Sequence, residues 1–180
     1  MSDGSVDFSN FSQSPVDIST ETDTNTIAIA KNGNVQAQAG AAGSFIATPP
    51  EAFDLSVSQA LGKNRDYLGQ AESKATLLGD FVVDAGKTFA FNFAAKLNLK
   101  TSIAHPPAEN AQASGDVSFE LVNTDNQRVL DSFSLAGNLN TEGGGDFLSI
   151  QKSADITLGS LLQSSNFGGK QEFAKQFFGI

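Results

Sequence analysis

The chain has 180 residues and a formal net charge of -9, with 39% hydrophobic and 17% charged residues. This length is sufficient for one domain with a proper core. The acidic balance, without a basic patch, argues against nucleic acid as a partner. No apolar run approaches membrane-spanning length, so we expect no membrane insertion. The absence of cysteine and the presence of one histidine exclude disulfides and a structural zinc site.

The aromatic composition is uneven, with 15 Phe, one Tyr and no Trp. Phe has no polar group to present to solvent, so these rings are expected to be buried between sheets. The chain also contains 17 Gly and many Ser, Thr, Ala and Asn, which suit exposed β-faces and tight turns. Without Trp there is no obvious floor on which a sugar ring would stack.

Residues 1–25 are polar and rich in Ser, Thr and Asp. Val6 and Phe8 alternate within this stretch, as do Val16 and Ile18. We therefore predict either a flexible N-terminal arm or a strand that pairs with another segment. Residues 26–180 are predicted to form a single β-sandwich domain.

The next stretch predicts a hairpin. Residues 26–30 and 35–39 alternate between apolar and polar or small side chains, and Asn32-Gly33 between them is a strong signal for a two-residue turn. Residues 44–48 predict a further strand. Residues 49–61 fit either a short helix, with a capping box at Thr48 to Glu51, or an alternating strand, and the surrounding pattern favours the strand.

The longest alternating stretch is Thr88 to Lys100, where apolar side chains including Phe89, Phe91 and Phe93 occupy the odd positions. It predicts one long strand with its apolar face on the core. The preceding loop, residues 84–87, is predicted to turn with Gly86 in the left-handed region.

Shorter alternating stretches follow, separated by turn residues. The predicted strands are 116–122, 128–136, 146–151, 154–158 and 171–180. The polar, Pro-containing connection after Ile103 suits a crossing between sheets. The sequence therefore predicts an all-β, antiparallel two-sheet β-sandwich that is jelly-roll-like, with the short helix near 49–61 as an alternative in that region.

From about Tyr67 onward the chain resembles a group of exported bacterial β-domains, common in cyanobacteria and akin to the extracellular parts of PEP-CTERM-like surface and matrix proteins. The matching stretches are 67–71, 79–81, 85–93, 97–103, 130–139, 146–148 and 166–172. The resemblance implies an extracellular or cell-surface location, a matrix or adhesive role, and no active site. Met1 to Ser5 lack the basic and apolar regions of a signal peptide, so we expect a mature or recombinant form, or an export route that uses another signal.

Calcium is the best chemical hypothesis for this chain. Glu142 and Asp146 flank three glycines whose carbonyls could join them as hard oxygen ligands. Asn123, Asp125 and Asn126 form a second, weaker cluster. Glycine-rich hairpins with an acid are, however, common without a bound metal. The single histidine, His105, precedes two prolines and is better explained as a loop residue than as a catalytic base. We predict no enzymatic activity.

Self-association is the remaining hypothesis, because an open sandwich has strand edges that a neighbour's strand can complete. The terminal segments alternate, and their candidate assembly residues are Val6, Phe8, Phe173 and Phe177. The simpler alternative is that both segments pair within their own sandwich. The sequence thus predicts an extracellular structural or matrix protein that forms fibres by a donated terminal strand. A calcium-dependent carbohydrate-binding or adhesive module, with extracellular polysaccharide as partner, is the alternative.

Overall fold

The computed structural model describes residues 1–103, 108–141, 145–166 and 170–179; the side chains of Arg65 and of residues 160–179 lie outside this description. The described residues form β-strands and connecting turns, with no helix. The strands are β1 (Ser2–Ser9), β2 (Asp17–Ala47), β3 (Pro50–Asp80), β4 (Asn92–Ser102), β5 (Gln112–Asn123), β6 (Arg128–Asn140), β7 (Phe147–Lys152), β8 (Leu158–Asn166) and β9 (Lys170–Gly179). The predicted all-β class is confirmed.

The chain divides into two compact units. Unit 1 comprises Met1–Asp3 and Asp7–Phe91, and unit 2 comprises Gly4–Val6 and Asn92–Ile180. Strand β1 therefore contributes residues to both units. The predicted boundary between residues 25 and 26 falls inside β2.

Unit 1 is dominated by a two-stranded antiparallel ribbon. Strands β2 and β3 have 31 residues each and keep one register from the pair Asp17 and Asp80 to the pair Ala47 and Pro50. Thr48 and Pro49 connect the two strands at the tip of the ribbon. In β3, half-buried and exposed residues alternate from Tyr67 to Asp80, as expected for a strand with one covered face.

The ribbon folds back on itself. Thr20 and Gly43 would lie roughly 75 Å apart in a straight strand, yet a Cβ added at Gly43 would be 3.6 Å from Thr20 Cγ2. A Cβ added at Gly69 would likewise be 2.8 Å from Val35 Cγ2. These contacts place a base half (residues 17–30 and 67–80) against a tip half (residues 34–47 and 50–63).

The fold-back is centred on residues 31–33 and 64–66. On β3, Asn64 and Asp66 adopt positive φ angles of 69° and 60°, which Asn and Asp tolerate better than most side chains. Asn32 Nδ2 donates to Asp66 Oδ2 at 3.2 Å across the ribbon. The predicted tight hairpin turn at Asn32-Gly33 is therefore wrong: the two residues lie within β2, opposite Arg65 and Asn64, where the whole ribbon bends.

The alternative of a short helix at 49–61 is also wrong, because these residues belong to β3 after Pro49. The strand that was favoured there is confirmed. It is part of a much longer strand than its local pattern indicates, since its pairing with β2 continues to Asp80.

An aromatic cluster packs in unit 1, where the ends of the ribbon meet. Phe11 lies at its centre, with ring centroids 5.3 Å from Phe81 and 5.5 Å from Phe45. The full cluster comprises Phe8, Phe11, Phe45, Phe81, Phe89 and Phe91. These rings bring the tip of the ribbon (Phe45) next to the residue that follows its base (Phe81).

The turn at residues 84–87 forms as predicted, with Lys87 N donating to Asp84 O at 3.0 Å and Gly86 at φ 78°. The long strand after it, however, begins at Asn92 rather than Thr88. Phe89 and Phe91 belong to the unit 1 cluster instead of the sandwich, because each packs on Phe11.

Unit 2 is a two-sheet β-sandwich. One sheet has the order β1-β4-β9-β8, with residues 4–6 of β1 in this unit, and the other is the antiparallel meander β5-β6-β7. Strand β4 packs on β5 and β6. The most buried core side chains, each at most 2% exposed, are Ala95, Leu97, Leu99, Phe133, Leu135 and Leu139.

All but one of the predicted strands of unit 2 are present, with different bounds. Strands β5 and β6 extend beyond the predicted ranges, since Gln112 already pairs with Asn140. The predicted strand at 154–158 is wrong: residues 154 and 155 form a turn, and β8 begins only at Leu158. The predicted C-terminal strand is confirmed as β9.

Candidate functional sites

Asp146 closes the connection between β6 and β7. Its Oδ1 accepts a hydrogen bond from Asn140 N at 2.7 Å, and Asn138 Nδ2 donates to Gly145 O at 3.0 Å. Two of the oxygens expected to ligate calcium therefore accept hydrogen bonds from β6. Glu142, the second predicted ligand, lies outside the described residues.

The weaker predicted cluster is a turn stabilised by its own side chains. Asn123 Oδ1 accepts from Asp125 N at 3.0 Å and from Asn126 N at 3.3 Å, and Asn126 Oδ1 accepts from Arg128 N at 3.1 Å. These are the local hydrogen bonds by which Asn favours turns. The side chains of Asn123 and Asn126, which suggested metal ligands, stabilise the loop between β5 and β6 through these hydrogen bonds.

Within the described ranges, no group of three or more His, Cys, Asp or Glu side chains is placed to hold a metal ion. His105 lies outside those ranges. The same part of the chain contains no helix long and apolar enough to cross a membrane.

The candidate assembly residues lie on strands that pair within the chain. Val6 is buried in unit 2, at 5% exposed, whereas Phe8 belongs to unit 1 and packs on Phe11 and Phe91. On β9, Phe173 is opposite Leu99 of β4 and Phe177 is opposite Ala95. Strand β8 pairs with the other edge of β9. The simpler alternative, in which both terminal segments complete their own sheets, is the arrangement observed.

The surface that sequence reasoning missed is the free edge of β2. This strand is last in its sheet and, among the described residues, pairs with β3 alone. Its residues 17–32 are exposed throughout. Ile27 and Ile29 are 37% and 61% exposed, and Leu68, opposite Ile29 on β3, is 54% exposed. In the sequence, this surface corresponds to a stretch rich in hydroxyl residues that ends in Ile-Ala-Ile-Ala at residues 27–30. The stretch predicts a strand, but the sequence alone does not say which strand lies at the edge of a sheet.

A shallow groove of about 620 Å³ lies between the two halves of the ribbon. Thr24 and Thr26 line it from the base half, and Gln38 and Gln59 line it from the tip half. Gln38 and Gln59 are directly opposite each other on β2 and β3. Ala37, Ala39, Gly40 and Val57 complete the lining, so the groove combines hydroxyl and amide groups with small and apolar residues.

Asp54 lies at the tip of the ribbon, opposite Gly43. Burial raises the pKa of its carboxyl above the ordinary value, and a hydrogen bond from the backbone of Leu55 opposes the rise only in part. The charged form of Asp54 is thus disfavoured in the folded ribbon.

Comparison with known proteins gave no matching family, no similar curated protein and no similar solved structure.

Proposed function

We propose that this chain is an extracellular or cell-surface structural protein that self-associates through its β-strands. The observation that carries the proposal is the free edge of β2, which is exposed over residues 17–32. An unpaired strand edge presents backbone donors and acceptors that a strand from another chain can satisfy. The extracellular location comes from the resemblance to exported bacterial β-domains.

Edge strands are commonly protected by proline, by bulges or by shortening. Strand β2 has no proline between Asp17 and Ala47, and its register with β3 runs without a shift from one end to the other. Charges at Asp17, Glu21, Asp23 and Lys31 are its main protection. A strand of this length and exposure suits a protein whose role is association.

Donation of β1 is a second route to assembly. Val6 is buried, and β1 lies next to β4 in unit 2, so removing β1 would expose one edge of β4 and part of the core. A β1 strand from another copy could fill this site with the same contacts. Reciprocal exchange of β1 between two copies would form a closed dimer, whereas head-to-tail donation that does not close would grow as a fibre.

The test combines sedimentation velocity over a wide concentration range with negative-stain electron microscopy of the intact chain. Concentration-dependent dimers or larger species are expected, and a monomer at every concentration would remove the proposal. A chain lacking residues 1–9 tests the β1 route. We expect it to bind a synthetic peptide of residues 1–12 and to reject the same peptide carrying Val6→Asp, because a carboxylate would enter an apolar core.

The groove lined by Gln38 and Gln59 favours a second candidate, a carbohydrate-binding or adhesive module, because hydroxyl and amide groups match the hydroxyls of a saccharide. A glycan array with the intact chain and with the double variant Q38A/Q59A tests it. Binding that the double variant loses would support this function, and silence with both proteins would exclude it. Repeating the array with a chelator tests calcium dependence.

A further inference from the structure

The geometry of β2 points to a second copy of this chain as its partner. We propose that two β2 strands pair edge to edge, antiparallel and two-fold symmetric, in the register that places Ile27 opposite Ile27 of the other copy. This inference deepens the proposed self-association and rests on it. It identifies the strand, the register and the side chains that meet.

The charge pattern of β2 supports this register. Pairing centred on Ile27 places Lys31 of each copy opposite Asp23 of the other, which forms two opposite-charge pairs. Cross-strand pairs of opposite charge stabilise antiparallel sheets, whereas like charges destabilise them. Glu21, the next acid along β2, meets no like charge, because its partner position is Gly33, where the ribbon folds back.

The apolar side chains support the same register. Ile27 and Ile29 are at odd positions before the fold-back and thus share one face of β2 with Asp23. In the pair, the two Ile27 side chains are directly opposite, and Ile29 of each copy is diagonal to Ile27 of the other. Leu68 is opposite Ile29 on β3 and extends the cluster. Six exposed aliphatic side chains, three from each copy, would leave water around the two-fold axis.

The other face of β2, which is turned toward the tip half of the same ribbon, carries only small side chains at the positions that would pair. In this register Thr26 is opposite Ala28 of the second copy, and Thr24 is opposite Ala30. These side chains are small, so two ribbons can approach to the normal strand spacing of about 4.8 Å. A register centred on Ala28 would also pair isoleucines, but it would leave Lys31 opposite Asn25 and Asp23 opposite Gly33.

Single cysteines test the register, because the chain has no cysteine of its own. Under mild oxidation we expect Ile27→Cys to form a disulfide-linked dimer, since opposite residues in an antiparallel pair are within disulfide reach. In this register, position 25 of one copy is opposite position 29 of the other. Asn25→Cys and Ile29→Cys should therefore each cross-link poorly alone, and a mixture of the two variants should cross-link efficiently. Val82→Cys is the matched control, because Val82 is 63% exposed and lies off β2. Equal cross-linking of Ile27→Cys and Val82→Cys would overturn the proposal.

Charge variants test the pairing without cross-linking. Asp23→Lys alone and Lys31→Asp alone would each place like charges opposite one another, so each dimer should dissociate about tenfold more readily. An equimolar mixture should recover the wild-type dimer, since both facing pairs are again of opposite charge. Circular dichroism of each variant checks that it is folded, because Asp23 also faces Lys74 within the ribbon. Failure of the mixture to recover the dimer would contradict the register.

The outcomes separate this inference from the function on which it rests. A wild-type chain that is monomeric at every concentration removes both. A wild-type chain that assembles while Ile27→Cys fails to cross-link and both charge variants assemble normally removes the β2 pairing alone.

Discussion

Gly62 lies directly against the ring of Tyr67, on the inner side of the fold-back. A Cβ added at Gly62 would overlap Cε2 and Cζ of that ring. Gly40, in the same ribbon, has no atom within 4 Å of such a Cβ. The two glycines therefore form a matched pair in which only the contact with an aromatic ring differs.

We expect Gly62→Ala to lower the free energy of unfolding by about 1–3 kcal/mol, because the ring must leave its site. Gly40→Ala should be neutral or stabilising by up to about 1 kcal/mol, since alanine restricts the unfolded chain. Urea unfolding measures both. Adding Tyr67→Ala should remove most of the cost of Gly62→Ala, and a full cost in the double variant would contradict the assigned contact.

Asp54 makes the stability of the ribbon depend on pH. Its folded pKa is raised, so between the unfolded and folded values the folded state binds more protons, and the free energy of unfolding falls as pH rises through this window. The destabilisation is fully present above the folded pKa and is relieved on acidification. Asp54→Asn should therefore be more stable than wild type at pH 7, and the difference should shrink toward pH 4. A constant difference across this range would contradict the burial of Asp54.

At the scale of elements, the ribbon marks the limit of what local pattern predicts. Asn-Gly is compatible with both a two-residue hairpin turn and a bend in a continuing strand. The choice depends on whether residues 26–39 pair with themselves or with residues 50–80, and a long register is set by the whole partner strand. Alternation gave the strands but not their pairing.

Short elements with local chemistry were predicted better. The turn at 84–87 follows from Gly86, and the loop at 123–127 lies between the predicted strands 116–122 and 128–136. A calcium role for that loop stays a prediction, because an oxygen that can bind calcium can equally accept a backbone N–H, as Asn123 does there and Asp146 does between β6 and β7. The edge position of β2 depends on tertiary structure and could not be read from the sequence.

At the scale of the whole molecule, the ring contacts among the described phenylalanines fall into two clusters. One is centred on Phe11 in unit 1, and the other joins Phe93, Phe119 and Phe133 in unit 2, with centroids 4.9 Å apart between Phe93 and Phe133. Burial of Phe between layers was expected, but separation into two cores was not, because the predicted strand from Thr88 to Lys100 carries members of both clusters.

The two clusters can be tested separately, because Tyr67 is the only Tyr, Trp is absent, and Tyr67 lies in unit 1. Tyrosine fluorescence therefore follows unit 1, whereas far-ultraviolet circular dichroism follows both units. Phe11→Ala removes a half-buried ring and should cost about 2 kcal/mol in unit 1, and Phe133→Ala removes a ring that is 1% exposed and should cost about 3–5 kcal/mol in unit 2.

We expect Phe11→Ala to shift the fluorescence transition in urea, and Phe133→Ala to shift the circular dichroism transition while fluorescence changes little. The effects should add in the double variant, because the ring contacts described for Phe11 and for Phe133 have no ring in common. Phe147→Ala is the control, since its ring is 54% exposed and its loss should move neither signal appreciably. If Phe133→Ala moved both signals equally, the two units would unfold as one cooperative body, and each core would depend on the other for its stability.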